Sequence, residues 1–302
     1  MLKDTLLHLA QNPRMREFAV NNRIARSAAR RFVAGEVLDD AILATRELNR
    51  NGIQAALDFL GENVSDEKES RAATQDYNKA IDLIKKTGVD ANISIKLTAL
   101  GLDIARELCE ENLRAILERA REQNIFVCID MEGSAYTEQT VALTFAMHEQ
   151  FAEVGTVIQS YLYRSSKDIE GLIEQGIRVR LVKGAYQEEE SVAFQDKNDV
   201  DQNYRKLMTR LLARGNFPAI ATHDEALIDA ACKYVRDHGI EKASFEFQML
   251  YGVRRDLQEK LVKQGYKMRV YVPYGSQWYP YLMRRMAERP ANLMFVMNNI
   301  LR

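Results

Sequence analysis

Residues 92–130, NISIKLTALGLDIARELCEENLRAILERAREQNIFVCID, hold one complete unit of the pattern that decides the fold. Asn92–Leu97 is a short apolar run, Arg106–Glu122 carries apolar residues at helical spacing among charged ones, and Ile125–Asp130 is a second short apolar run. Short runs bounded by polar segments read as buried strands, and the amphipathic stretch between them reads as the helix of a β-α-β unit.

The alternation continues in both directions. Further runs at Gln54–Leu60, Thr156–Tyr161, Arg178–Val182, Pro218–Thr222, Ser244–Phe247 and Met268–Val272 bring the total to eight, the number that closes a parallel sheet into an α/β fold of the (β/α)8 TIM type. Helices are expected at Thr137–Glu153, Asp201–Arg214, Asp224–His238 and Tyr279–Arg289, while Gly61–Arg71, GENVSDEKESR, reads as a polar loop. Residues 1–50 read as helix, with apolar positions through Phe18, Ile24, Ala28, Phe32 and Val37, so N-terminal helices should pack on a barrel spanning 51–302 as one domain. A doubly wound open sheet is the competing architecture, but the 15 glycines never form the GxG pair of a dinucleotide fingerprint.

At 302 residues, with 46% hydrophobic and 28% charged, the chain has enough apolar material for one large core. Its 42 Lys and Arg nearly balance 43 Asp and Glu, which removes the basic field expected of a nucleic-acid partner. Cys109, Cys128 and Cys232 are scattered and read as reduced core thiols. The start, MLKDTLLHLAQNPRMREFAV, has no signal-peptide core, and no apolar run reaches membrane-spanning length, so a cytoplasmic location is expected.

Function in such a barrel sits at the C-terminal ends of the strands. Lys96, Asp130, Gln159, Arg180, Lys183, His223 and Tyr271 are polar residues in or closing the apolar runs. Each alone has a structural explanation, such as a surface ion pair or a cap. Together they exceed what structure needs. In YPYLMRRM, Tyr281 neighbours Arg284 and Arg285 at i+3 and i+4, and paired guanidinium groups suit a carboxylate. The four histidines and three cysteines lack metal-ligand spacing, so no metal is expected.

Taken in order, ISIKLTALG, VCIDMEGSAYT, VIQSYLYR, VRLVKGAY, IATHD, RVYVPYG and YLMRR resemble the motifs of the proline dehydrogenase family, from about Asn51 to the C-terminus. The resemblance implies a distorted (β/α)8 barrel that carries FAD, oxidises L-proline to Δ1-pyrroline-5-carboxylate and passes electrons to a membrane quinone. It implies that Lys96, Arg284 and Arg285 hold the substrate carboxylate, while Tyr271 and Tyr281 line the same pocket. Asp130 matches an active-site carboxylate, expected to orient Lys96 or Arg284. Arg180 is placed at the reactive edge of the flavin. Lys183, Gly184 and Ala185 should meet its pyrophosphate or ribose, with Met131, Gln159, Thr222 and His223 as further contacts. Glu62 matches a carboxylate that pairs with the first clamp arginine and gates the pocket.

The short chain resembles the monofunctional form, which leaves the next oxidation to a separate pyrroline-5-carboxylate dehydrogenase. Arg14, Arg16, Arg23, Arg26, Arg30 and Arg31 either form a solvated helical face or allow a weak peripheral contact with the inner face of the plasma membrane. Two other readings remain at this stage: a lyase using Lys96 or Lys183 as a Schiff-base nucleophile, and a noncatalytic barrel binding an anion through Arg284 and Arg285.

Overall fold

Residues along each strand alternate between two environments, and the partners they find show which is which. In the computed structural model, which describes Asn22, residues 29–61 and residues 64–288, with side chains through Met283, Phe59 meets Tyr77 on the outside of the sheet. Its neighbour Asp58 points into the interior cavity, as the two-residue period of a strand requires. Apolar residues such as Ala55, Leu57, Ile93, Ile95, Val127 and Ile129 join Ile81, Leu113 and Ile116 of the surrounding helices in one core.

The eight strands are β1 (Gln54–Phe59), β2 (Ala91–Ile95), β3 (Val127–Ile129), β4 (Val154–Gln159), β5 (Arg178–Val182), β6 (Ala219–Ala221), β7 (Glu246–Leu250) and β8 (Lys267–Tyr274). All pair in parallel, in chain order, and β8 closes on β1. Helix α1 (Leu38–Arg50) precedes the barrel. Each strand is then followed by a helix: α2 (Glu67–Thr87), α3 (Arg106–Gln123), α4 (Ser134–His148), α5 (Ser165–Glu174), α6 (Lys197–Arg214), α7 (Glu225–Asp237), α8 (Arg255–Lys263) and α9 (Trp278–Glu288). The α/β barrel expected from the eight runs is therefore present, with the Arg178–Val182 strand at its expected limits.

Three local expectations are corrected. Gly61–Arg71 is not loop throughout, because α2 begins at Glu67. Asp66 accepts from the Glu69 backbone N–H at 2.8 Å, and the Glu69 carboxylate accepts from the Ser65 N–H at 2.7 Å, a reciprocal cap that fixes the helix start. Residues 30–37 are turn and bend rather than helix, with Phe32 buried; Phe18, Ile24 and Ala28 lie outside the described residues. Cys232 is only half-buried, whereas Cys109 and Cys128 are buried, with burial pushing their thiols up to about 12 and about 11 respectively.

The lower barrel interior is locked by charge. Arg269 of β8 donates to the Glu246 carboxylate of β7 at 2.9 and 3.1 Å, to the Ala55 carbonyl of β1 at 2.8 Å and to Gln54 Oε1 at 3.1 Å. One guanidinium thus joins three strands across the barrel's closing seam. Nearby, Arg178 lies 3.9 Å from the Phe126 ring centre and 4.5 Å from that of Phe217. A Cβ on Gly155, opposite Arg178 in register, would come within 2.4 Å of the Arg178 carbonyl oxygen and 2.7 Å of the Phe126 ring, so only glycine fits there.

Burial works to raise the Glu246 pKa, but the Arg269 charge and hydrogen bonds, helped by Gln248 and Arg178, more than offset it and leave the carboxyl below its usual range. A lowered folded pKa gives stability that is full above the unfolded value and is lost as pH falls through the folded one. Glu246→Gln strands the Arg269 charge and should cost ~3–5 kcal/mol at neutral pH. Urea unfolding measures it. The wild type should also lose stability more steeply than the variant as pH falls below the ordinary carboxylate range.

Candidate active site

At the C-terminal mouth of the barrel the strand ends surround a cavity of about 740 Å³. Lys96, Asp130, Met131, Gln159, Arg180, Lys183, Gly184, Ala185, Thr222, His223, Tyr271 and Tyr281 all line it. These positions are scattered over nearly two hundred residues of sequence. Parallel strands in a closed barrel deliver their C-terminal ends to one rim, which is why separate motifs converge.

The centre of the site is a cation held across the barrel. Arg180 of β5 donates from Nη1 to Asp130 Oδ1 at 2.7 Å and from Nη2 to Ser94 Oγ of β2 at 2.8 Å. The Tyr271 hydroxyl of β8 donates to the other oxygen, Asp130 Oδ2, at 2.5 Å. The guanidinium also lies 5.3 Å from the Tyr271 ring centre. Burial opposes the Arg180 charge, yet Cys128, Asp130, Tyr271 and Glu246 outweigh it and move the pKa up, so the group is a permanent cation. Burial first, and then the Asp130 and Asp58 charges, push the Tyr271 hydroxyl well above its ordinary value, so it remains a donor.

Of the two residues Asp130 is expected to orient, Lys96 and Arg284, the second has its side chain outside the described residues. The hydrogen-bond partners of Asp130 are Arg180 and Tyr271 rather than Lys96, which instead forms a buried ion pair with Asp58 at the top of β1. The remaining cations are also engaged. Lys183 bridges Asp201 at 2.5 Å and Asp224 at 2.8 Å, and burial of those two carboxylates is more than offset by Lys183 and Lys197, so both sit below the usual carboxylate range.

His223 accepts at Nε2 from the Leu250 N–H at 2.9 Å, which fixes its proton on Nδ1 when the ring is neutral. Thr222 Oγ1 accepts from the Asp224 N–H at 3.1 Å, and the Asp224 carboxylate caps α7 by accepting from the Ala226 N–H at 3.1 Å. Gln159 donates to the Glu132 carbonyl at 2.9 Å. Gly184 has φ +115°, and a Cβ there would lie 2.4 Å from the Tyr161 ring. Its lack of a side chain serves that contact as well as any ligand.

Tyr281 is buried at the cavity wall in α9. Arg284 and Arg285 belong to the same helix, but their side chains lie outside the described residues, as does Glu62. Sequence reasoning missed Asp58, Ser94, Glu132 and Glu188. Asp58 had a signal: it is the charged residue inside the β1 run QAALDF. Glu132 accepts from Thr98 N at 3.2 Å and Thr98 Oγ1 at 2.7 Å, a pairing with no sequence signature.

The sequence profile of the family described as Proline dehydrogenase matches residues 41–298. "Proline dehydrogenase 1" of Bacillus subtilis subsp. natto is 44% identical over 302 residues, covering all of both chains. "Proline dehydrogenase" of Deinococcus radiodurans is 41% identical over 307 residues, covering 100% of this chain and 98% of that one. A crystal structure of proline utilization A from Bdellovibrio bacteriovorus, inactivated by N-propargylglycine, superposes with a TM-score of 0.81 at 27% identity, over 87% of this chain and 33% of that one.

Proposed function

This chain belongs to the proline dehydrogenase family and oxidises proline to Δ1-pyrroline-5-carboxylate; from that premise we propose that its cavity holds FAD and L-proline together. The family is flavin-dependent, and the residues here fit such a group. A volume of about 740 Å³ suits a large cofactor with a small substrate. Arg180 Nε is a buried donor without a hydrogen-bond partner among the described residues, and buried donors normally have one. An acceptor atom of a flavin ring would satisfy it. That orphaned donor, on a cation caged at the cavity centre, is the observation that carries the proposal.

When bound, FAD supplies the hydride acceptor. Arg180 then provides fixed positive charge beside it, steadied by Asp130 and Ser94. Met131, Gln159, Lys183, Gly184, Ala185, Thr222 and His223 hold the remainder of the cofactor. Lys96, Arg284 and Arg285 bind the proline carboxylate, and Tyr271 and Tyr281 exclude larger amino acids. Hydride loss from the carbon beside nitrogen is easiest from the neutral amine. Asp130 is poorly placed to take that proton, since each of its oxygens already accepts a hydrogen bond. Glu62 acts as a gate by pairing with Arg284.

Further proposals concern the surroundings. Electrons pass to a membrane quinone, which the enzyme meets peripherally from the cytoplasm; among the described residues no helix is long and apolar enough to cross a membrane. The product goes to a separate pyrroline-5-carboxylate dehydrogenase. The described part of the expected 1–50 segment belongs to one domain with the barrel, in keeping with the packing of Ala41 and Ile42 into the barrel core, while residues 1–21 and 23–28 lie outside the described residues.

The Schiff-base alternative gains no support, because Lys96 is tied to Asp58 and Lys183 to Asp201 and Asp224.

Anaerobic addition of L-proline to the purified protein should bleach its flavin absorption; a colourless protein that stays inert after FAD is supplied would overturn the cofactor assignment. Arg180→Met should retain bound flavin in part while lowering kcat by ~10²-fold or more, the scale for removing one preorganised electrostatic stabiliser. Steady-state rates normalised to flavin content measure it.

A further inference from the structure

We propose that Glu188 is a positioning residue that fastens the loop after β5 over the cavity and thereby sets how firmly the cofactor is retained. The inference rests on the reading that this cavity holds a flavin. Residues 183–196 form one cavity wall, to which Lys183, Tyr186, Glu188, Phe194 and Gln195 contribute. Both ends of the loop are stitched to the segment after β4. Tyr161 N–H donates to the Lys183 carbonyl at 2.9 Å, Phe194 N–H to the Tyr161 carbonyl at 2.8 Å, and Tyr163 N–H to the Val192 carbonyl at 3.1 Å.

Between those stitches the loop reaches past β4 to the helix after β3. There the Glu188 carboxylate accepts from the Ser134 backbone N–H at 2.7 Å and bonds the Ser134 hydroxyl; it also lies 3.4 Å from the Tyr161 hydroxyl. The N-cap of α4 is Gly133, which offers no side chain to its own first turn. A helix start has N–H groups in need of acceptors and a partial positive charge. Glu188 supplies both an acceptor and a negative charge from 54 residues away in sequence. One carboxylate therefore ties together the loops that follow β3, β4 and β5.

The chain just before Glu188 is open to solvent: Ala185, Tyr186 and Gln187 are exposed while Glu188 itself is half-buried. The segment is held by the Glu188 carboxylate together with the Tyr161 hydroxyl, which bonds the Tyr186 backbone, and the Tyr163 hydroxyl, which donates to the Glu190 carbonyl at 2.8 Å. An exposed segment held in this way opens by local unfolding whose population depends most on the charged contact among them. A cofactor lodged behind this wall leaves through the opened state, so the latch sets its release rate. Asp130, Arg180 and Tyr271 bond one another and not this loop, which separates retention from the chemistry.

The test compares wild type, Glu188→Ala and Glu188→Gln. Hydrogen exchange of the apo-chain is read at residues 184–190 and in the barrel strands, and FAD release is read from the reconstituted holoenzyme by flavin fluorescence. Glu188→Ala should raise exchange at 184–190 and speed FAD release by about ten- to a hundred-fold, the scale for losing hydrogen bonds to a charged group, with strand exchange unchanged. Glu188→Gln should recover most of the difference, because its amide oxygen still accepts from the Ser134 N–H. The proposal is overturned if Glu188→Ala matches wild type at 184–190, or if exchange rises equally throughout the barrel. A wild-type chain that binds no FAD would instead sink the cofactor reading, while the apo-chain exchange would still decide the latch.

Discussion

A guanidinium buried at the centre of a barrel must find its counter-charge and acceptors from the facing strands, and Arg180 does so across the full width of the sheet. Its partners come from β2, from the end of β3 and, through Asp130, from Tyr271 on β8. None of those strands neighbours β5 in the sheet. A shift of any one by a residue would turn the wrong side chain inward and leave a buried charge uncompensated, at a cost of several kcal/mol. The site is therefore also a statement about register, and its polar contacts are as demanding of the fold as the apolar core is.

The barrel divides its labour by height and by face. Near the bottom, Arg269 and Glu246 close the seam among β7, β8 and β1 with their charges matched. Near the top, the Asp58–Lys96 pair and the Arg180–Asp130 pair leave open space above them. Folding is driven from the opposite face of the same strands, where Leu57, Ile93, Ile95 and Ile129 are buried against helices. Apolar burial at about 25 cal/mol per Å² supplies the stabilisation against which an ionic interior, expensive to desolvate, can be maintained.

That division explains what was legible in the sequence. The outward faces carry Ile, Val and Leu at strand spacing, so eight runs could be found, and strand-end polar residues such as Lys96 and Arg180 stood out against them. Pairing across the interior left no trace. Nothing near Asp130 says that it faces β5 and β8 rather than Lys96, because that depends on barrel closure. Glu188 and Ser134 are likewise partners only after three β-α units have stacked. The start of α2 was misread for a different reason: a capped first turn rich in Asp, Glu and Ser has the composition of a loop, and only the reciprocal Asp66–Glu69 contacts distinguish it.

Barrel order also gives a reason for the proposed division between substrate and cofactor. Lys96 follows β2, Tyr271 lies in β8 and Tyr281 in the helix after it, so this group stands on either side of β1. Gln159, Lys183, Thr222 and His223 come from the ends of β4, β5 and β6, on the far side of the ring. Arg180 rises from β5 in the second sector and reaches across to Asp130 at the end of β3 and Ser94 of β2, and Tyr271 connects the pair to the first sector. A small carboxylate-bearing ring on one side and a large cofactor on the other would meet at a cation whose position is fixed from both. Fixing it in advance matters because a charge already oriented and already dry does not have to reorganise when the reacting electrons move.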